Sequence, residues 1–327
     1  MIRKLLVSAL CLSSSLAWAT ALDDIPNAKA VVGADLKMIA DWAAPEFAKG
    51  FGFAAAQGSN LPVPGLSLLS APRFELGALA GASLTPVDTA GFRALALGAL
   101  DTSKIDMLGN LPLPMAVLHA KLGAVMGFDG GFRYLKTPKI SVQGVDAEQT
   151  QWGVSVRKTF FGGALPFVTA GLTYDSLVSK MTYTLKQKST KTKTYGASNI
   201  AYTQTDDASL TFGLDSDVNV VGIHALVGKS LGPILPTLGA SLNLPGGKSD
   251  VTLTASDAIT LAQVGAAANT ASQTVSVSAL GSGKPKTDLR VQAGLEFNLL
   301  IVRLGLLGEY GLSSKAVGAS AGLRFQF

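Results

Sequence analysis

Lys315-Ala316-Val317-Gly318-Ala319-Ser320-Ala321-Gly322-Leu323-Arg324-Phe325-Gln326-Phe327 closes the chain, and its parity decides the fold. Val317, Ala319, Ala321, Leu323, Phe325 and Phe327 fall on one side of an extended strand, and Gly318, Ser320, Gly322, Arg324 and Gln326 on the other. One face is apolar and the other wet. No later residue is left to cover the apolar face, so lipid is the expected solvent for it.

The alternating strand that ends on Phe325 and Phe327 resembles the C-terminal assembly signal of bacterial outer-membrane β-barrels. That resemblance implies recognition by a barrel assembly machinery and a place in the outer membrane of a Gram-negative-type bacterium. The other end of the chain fits export. Arg3 and Lys4 form a positive n-region, Leu5 to Leu16 an apolar h-region, and Ala17-Trp18-Ala19 or Ala19-Thr20-Ala21 a small-x-small cleavage site. Residues 1–21 are therefore expected to be a signal peptide, with the mature chain beginning near Thr20 or Leu22. Cys11 belongs to the h-region. The mature chain then has no cysteine, which removes disulfides, thiol nucleophiles and thiolate metal sites together.

The chain has 36 Gly and only 15% charged residues, too apolar for a typical soluble enzyme. Yet after the leader no run of uncharged apolar residues is long enough for a spanning helix. Alternation dilutes the lipid face of a barrel, and that reconciles the two observations. The net charge of +5 comes from scattered Lys and Arg without aromatic interleaving, so lipopolysaccharide phosphate is the expected acidic neighbour and nucleic acid is not.

Parity places strands at 73–85, 116–124, 132–136, 151–159, 167–175, 210–227, 237–244, 288–298, 302–310 and the terminus. The expectation is an all-β chain: a transmembrane antiparallel up-and-down barrel of about ten strands, with roughly eight to twelve as the range. Short turns at 125–129, 161–165, 231–233 and 299–301 would lie on the periplasmic side, with long loops at 186–207 and 245–285 outside. The apolar set changes parity between Val220 and Val221, which predicts a β-bulge at 219–221. Residues 73–327 are thus the barrel, and 22–72 an N-terminal plug or periplasmic segment.

The inward set from parity is Arg73, Glu75, His119, Lys121, Arg157, His224, Arg290, Glu296, Arg303, Glu309 and Arg324. Seven of these, Arg73, Glu75, Arg290, Glu296, Arg303, Glu309 and Arg324, fall on strands that become neighbours on closure, which predicts a salt-bridge network. Structural filling and a selective pore lining are the two roles open to it. The excess of Arg and Lys over Glu predicts a modest anion preference.

In the N-terminal segment Leu36, Ile39, Ala40, Ala43 and Phe47 recur at helical spacing, predicting a short amphipathic helix interrupted near Pro45. The Gly- and Ala-rich stretch Phe47-Ala48-Lys49-Gly50-Phe51-Gly52-Phe53-Ala54-Ala55-Ala56 follows. With the terminal Phe, it resembles the layout of the outer-membrane long-chain fatty acid transporters, in which an N-terminal segment plugs the lumen. The Asn-Pro-Ala motif of that family is absent and the chain is shorter, so the resemblance carries the layout and no ligand residue.

Catalysis is not expected. His119 and His224 are the only histidines, and neither Ser241 nor Asp175 completes a recognisable nucleophile or metal motif with them. No cofactor pattern is present. Lys180, Lys186, Lys188, Lys191 and Lys193 with Tyr183 and Tyr195 gather around one outward loop, where they would hold lipopolysaccharide phosphate or serve adhesion. The reading is a passive conduit for a small or lipophilic solute. Its alternative is a closed structural or surface-interaction barrel.

Overall fold

A computed structural model describes residues 25–60, 73–98, 102, 109–142, 145–161, 165–195, 200–265 and 270–327. The expected signal peptide lies outside the described residues. Helix α1 spans Ile25–Ala56, and after β1 (Arg73–Pro86) a short helix α2 spans Thr89–Arg93. The wall continues as β2 (Asn110–Val125), β3 (Phe128–Val142), β4 (Val145–Phe160), β5 (Phe167–Tyr195), β6 (Ile200–Gly228) and β7 (Ile234–Gln263). It ends with β8 (Thr270–Gly283), β9 (Asp288–Leu299), β10 (Val302–Gly311) and β11 (Val317–Gln326).

All pairings are antiparallel, and β11 closes the ring on β1 with Phe325 opposite Leu76 and Leu323 opposite Ala78. The backbones of Phe74 and Phe327 exchange hydrogen bonds of 3.1 and 2.9 Å, so the last residue is inside the seam. Among the described residues there are 11 strands, yet β8 pairs with Ser249–Ala262 of β7 and β9 with Ile234–Asn243. They follow one another along the same strand of the wall, broken where Pro285 has no N–H to donate. The expected walls are therefore present, the eighth of them in two pieces.

The lower half of the wall obeys the expected parity. Leu118, Leu122, Val156, Leu172, Leu238 and Leu306 point outward with exposures between 50 and 63%, and the residues between them are turned inside. Trp152 and Tyr174, 5.3 Å apart, share the top of this belt with Tyr134 and Tyr310, and Phe74, Phe128, Phe160 and Phe327 ring its base. Lys158 reaches over the Phe128 ring at 4.4 Å. An apolar band between two aromatic girdles is the signature of a lipid-spanning barrel. Arginine at Leu323 should therefore cost about 2–4 kcal/mol, while arginine at Thr182, outward but above the belt, should change stability by under about 0.5 kcal/mol. Urea unfolding in vesicles measures both, and equal costs would place the belt wrongly.

Above the belt β5 to β8 run on as a tall four-stranded sheet, and the apolar side changes from outside to inside. On β6 the even positions face inward from Gln204 to Gly228; Leu210, Leu214, Val218 and Val220 are buried while Val221, Ile223 and Val227 face lipid. Both neighbouring registers pass through 219–221 without a shift, so the predicted bulge is absent there. Irregularities occur instead at Gly123/Val125 and Thr137/Ile140. The segments expected as loops, 186–207 and 245–285, are mostly strand in these two hairpins. Their Thr-rich alternation has strand propensity that a search for apolar residues passes over.

What fills this upper space is α1. Leu36, Ile39, Ala40, Ala43 and Ala44 pack on Leu177, Leu210, Val218, Val251 and Leu253 in one apolar core. The helix is neither short nor interrupted: its 32 residues pass through Pro45 to Ala56. In an enclosure without water the backbone must satisfy itself, which favours continuing the helix over breaking it. Close approach requires glycine on the wall. A Cβ on Gly281 would strike the backbone at Ala40, and one on Gly283 the backbone at Ala44 and Pro45.

Candidate lumenal site

From Ala48 to Gly58 every α1-side residue is buried except the partly shielded Lys49, because the helix end stands inside the ring. Its last carbonyls lack helical partners, and inward side chains of four strands supply hydrogen bonds or charge. Arg133 of β3 donates from Nη1 to Gln57 O at 2.7 Å and from Nη2 to Ala55 O. Gln151 of β4 donates to Ala55 O at 3.0 Å, and Arg290 of β9 to Gly52 O at 3.1 Å. The Arg290 guanidinium also lies 4.0 Å from the Phe53 ring centroid. Two cations at a helix C-terminus complement its dipole. Gly58, at φ +69°, ends the helix and gives its N–H to Glu309 of β10 at 2.8 Å. Gln57 bonds the carbonyls of Ala82 and Ala319 across the closure seam.

Below the helix end the lumen is filled by ion pairs. Arg324 of β11 bonds Glu75 of β1 at 3.0 Å and also Glu296 of β9, and Arg303 of β10 meets Glu296 at 3.1 Å and Asn298 at 2.6 Å. Arg157 pairs with Asp129 at 2.8 Å, Arg133 with Asp175 at 2.7 Å, and Arg290 with Asp288 at 3.3 Å. Of the residues expected to face inward, Glu75, His119, Arg157, His224, Arg290, Glu296, Arg303, Glu309 and Arg324 are buried, and Lys121 is partly so. Arg73 opens β1 opposite Gly123; its side chain lies outside the described residues. His224 stands opposite Ser241, but the Ser241 hydroxyl accepts from Asn243 and neither His224 nitrogen has a partner.

The reading of inward residues missed Asp129, Arg133, Asp288 and Gln57. Arg133 has the inward parity of its strand, between the outward Phe132 and Tyr134, so the signal was there. These additional acids alter the electrostatics. Among the described residues the lumen acids Glu75, Asp129, Asp175, Asp288, Glu296 and Glu309 match the lumen cations in number, so the excess of positive charge behind the expected anion preference is absent.

The Lsa36-like family profile matches residues 82–327, three quarters of the sequence. The chain belongs to the Lsa36-like family. That match begins within β1 and runs to Phe327, so the family region is the wall, and α1 precedes it. No curated protein matches the chain. Among solved structures, the translocator domain of autotransporter NalP from Neisseria meningitidis aligns over 84% of this chain and 92% of its own, at 10% identity and TM-score 0.33. The monoaromatic hydrocarbon channel TodX, as its deltaS2S3 mutant, aligns over 81% and 90% at 8% identity and TM-score 0.26. Ail, the attachment invasion locus protein of Yersinia pestis, aligns over 78% and 97% at 10% identity and TM-score 0.21.

Proposed function

We propose that the chain is an outer-membrane barrel kept closed by its own N-terminal helix, and that it works as a surface platform displaying the β5–β8 sheet. The observation that carries this is the seating of α1: its C-terminal carbonyls are held by Arg133, Gln151 and Arg290, and its flank is fused to the apolar core of the sheet. A plug bonded at one end and packed along its length is part of the fold. It is not poised to leave.

The displayed sheet supports a role in contact. Its outward face carries Lys180 near the lipid belt and Lys186 and Lys188 farther up β5, a basic strip suited to phosphate groups at the cell surface. Rows of hydroxyls cross it: Thr184 meets Thr211 at 3.1 Å, and Thr254 meets Ser278 at 3.0 Å in the same row. Planar-bilayer recording of the purified full chain tests the reading, together with labelling of Lys186 and Lys188 on intact cells. Silent bilayers and labelled lysines are expected. Sustained unitary conductance would favour the second reading, a conduit for a small or lipophilic solute.

The sheet also has a pH lever. Asp257 lies buried on its inner face, and burial together with the neighbouring Asp206 and Asp207 pushes its carboxyl up to about 6. Folding therefore favours the protonated form: the stabilisation is complete below pH 4 and is lost as pH rises through about 6. Its size, discounted for partial solvent access, is about 1 kcal/mol. The urea midpoint of the wild type should fall between about pH 4.5 and 7, and Asp257→Asn should flatten the profile. A parallel profile in the variant would assign the effect to another group.

A further inference from the structure

We propose that Lys121 and His119 form a binding site for a small inorganic anion, chloride foremost, in the lower lumen beneath the helix end. Lys121 stands outside the ion pairs of the lumen, as does Glu309, whose Oε2 takes the Gly58 N–H and whose Oε1 has no partner. Among the described residues the guanidinium groups of Arg133, Arg157, Arg290, Arg303 and Arg324 each reach a carboxylate within 3.3 Å. Among the described residues Lys121 forms no direct ion pair or hydrogen bond, and Glu75, opposite it on β1, is bonded to Arg324 instead.

Its side chain instead borders a cavity of about 30 Å³, lined also by Ser59, His119, Arg133, Ser155 and Asp175. That volume holds one monatomic anion or about two waters, and it excludes a phosphate ester. His119 is 91% buried, and its Nε2, with no partner, is free to donate. Glycine at 131 makes the room: a Cβ there would stand 2.7 Å from Ser155 Oγ and 3.3 Å from Lys121 Cγ. Arg133 is committed, its donors already used by Asp175 and the α1 carbonyls. The donors left to a guest are thus an ammonium, an imidazole N–H and the Ser155 hydroxyl, a set suited to an anion.

Energetics favour occupancy. A half-buried ammonium that no carboxylate contacts directly has lost part of its hydration without a paired oxygen in return. An anion in the cavity provides a partner without adding a carboxylate that would disturb the surrounding pairs. Ser59 of the helix end is part of the lining, so the site is complete only with α1 seated.

The test compares the full chain with Lys121→Met in detergent at constant ionic strength, exchanging sodium gluconate for sodium chloride or bromide. The wild type should show a saturating rise in thermal midpoint with chloride, with bromide replacing it. Lys121→Met should fold at least as stably in gluconate, because an unpaired cation has been removed, and its affinity for chloride should fall at least about tenfold. Lys121→Arg should retain the response, and Ser155→Ala should weaken it. Anomalous scattering from bromide in crystals of the full chain should place the ion beside Lys121 Nζ. An equal chloride response in wild type and Lys121→Met, no response in either, or bromide bound elsewhere would overturn the proposal.

Discussion

Deleting Ile25–Ala56 is expected to turn a silent barrel into a conducting one, raising bilayer current by about an order of magnitude. The helix occupies a cylinder about 10 Å across, and the residues it leaves behind cannot refill it. Gln151 and Arg290 would lose their acceptors on Ala55 and Gly52, and Arg133 would lose Ala55 O while keeping Asp175. Exposed to the vacated space they would draw in water, and ions would follow. The deletion also strips the cover from Leu210, Leu214, Val251 and Leu253, so the upper sheet should become protease-sensitive while the belt, whose strands hydrogen-bond one another around the closed ring, remains folded. A milder variant separates the two effects: Gly281→Val drives a side chain into the helix backbone at Ala40 and should unseat α1 with the chain intact. A deletion variant that folds yet stays silent would show that the ion-paired lower lumen is itself the seal.

Arg324→Met should destabilise the barrel by about 3–5 kcal/mol, because it removes the cation that Glu75 and Glu296 share and leaves two carboxylates buried without it. Arg324 lies on the strand that closes the ring, so the loss falls at the seam between β11 and β1. Glu75→Gln added to Arg324→Met should recover most of the stability, since Glu296 keeps Arg303 and no isolated charge remains. Urea unfolding in vesicles provides both numbers. A cost under about 1 kcal/mol for Arg324→Met would mean that the network is water-filled and works as surface ion pairs do.

The belt and the seam were legible in the sequence because lipid imposes a strict rule. Alternate residues must be apolar where the wall meets hydrocarbon, and Leu323 and Phe325 obey it as plainly as Leu118 and Leu172 do. The tall hairpins were hidden for the reverse reason. Above the lipid the outward residues are Lys and Thr while the inward ones become apolar, so Val220 and Val221 look like a slip in register although β6 runs straight. Alternation has the same form whichever face is buried. Its sign is set by what lies on each side.

The sequence by itself determined the barrel class, the lipid belt, the inward parity of residues such as Glu75, Arg157, Glu296 and Arg324, and a helical bent in residues 36–47. Local periodicity suffices for these, because each depends on a side chain and its immediate solvent. The tertiary structure alone decided that α1 runs unbroken through Pro45, that it stands within the ring, and that Arg133 and Arg290 take its last carbonyls. It also decided which carboxylate each lumen arginine meets, and that among the described residues Lys121 and Glu309 stand outside those pairs. Those outcomes depend on residues far apart in the chain, such as Arg290 and Gly52 or Arg324 and Glu75, being brought together by closure of the ring.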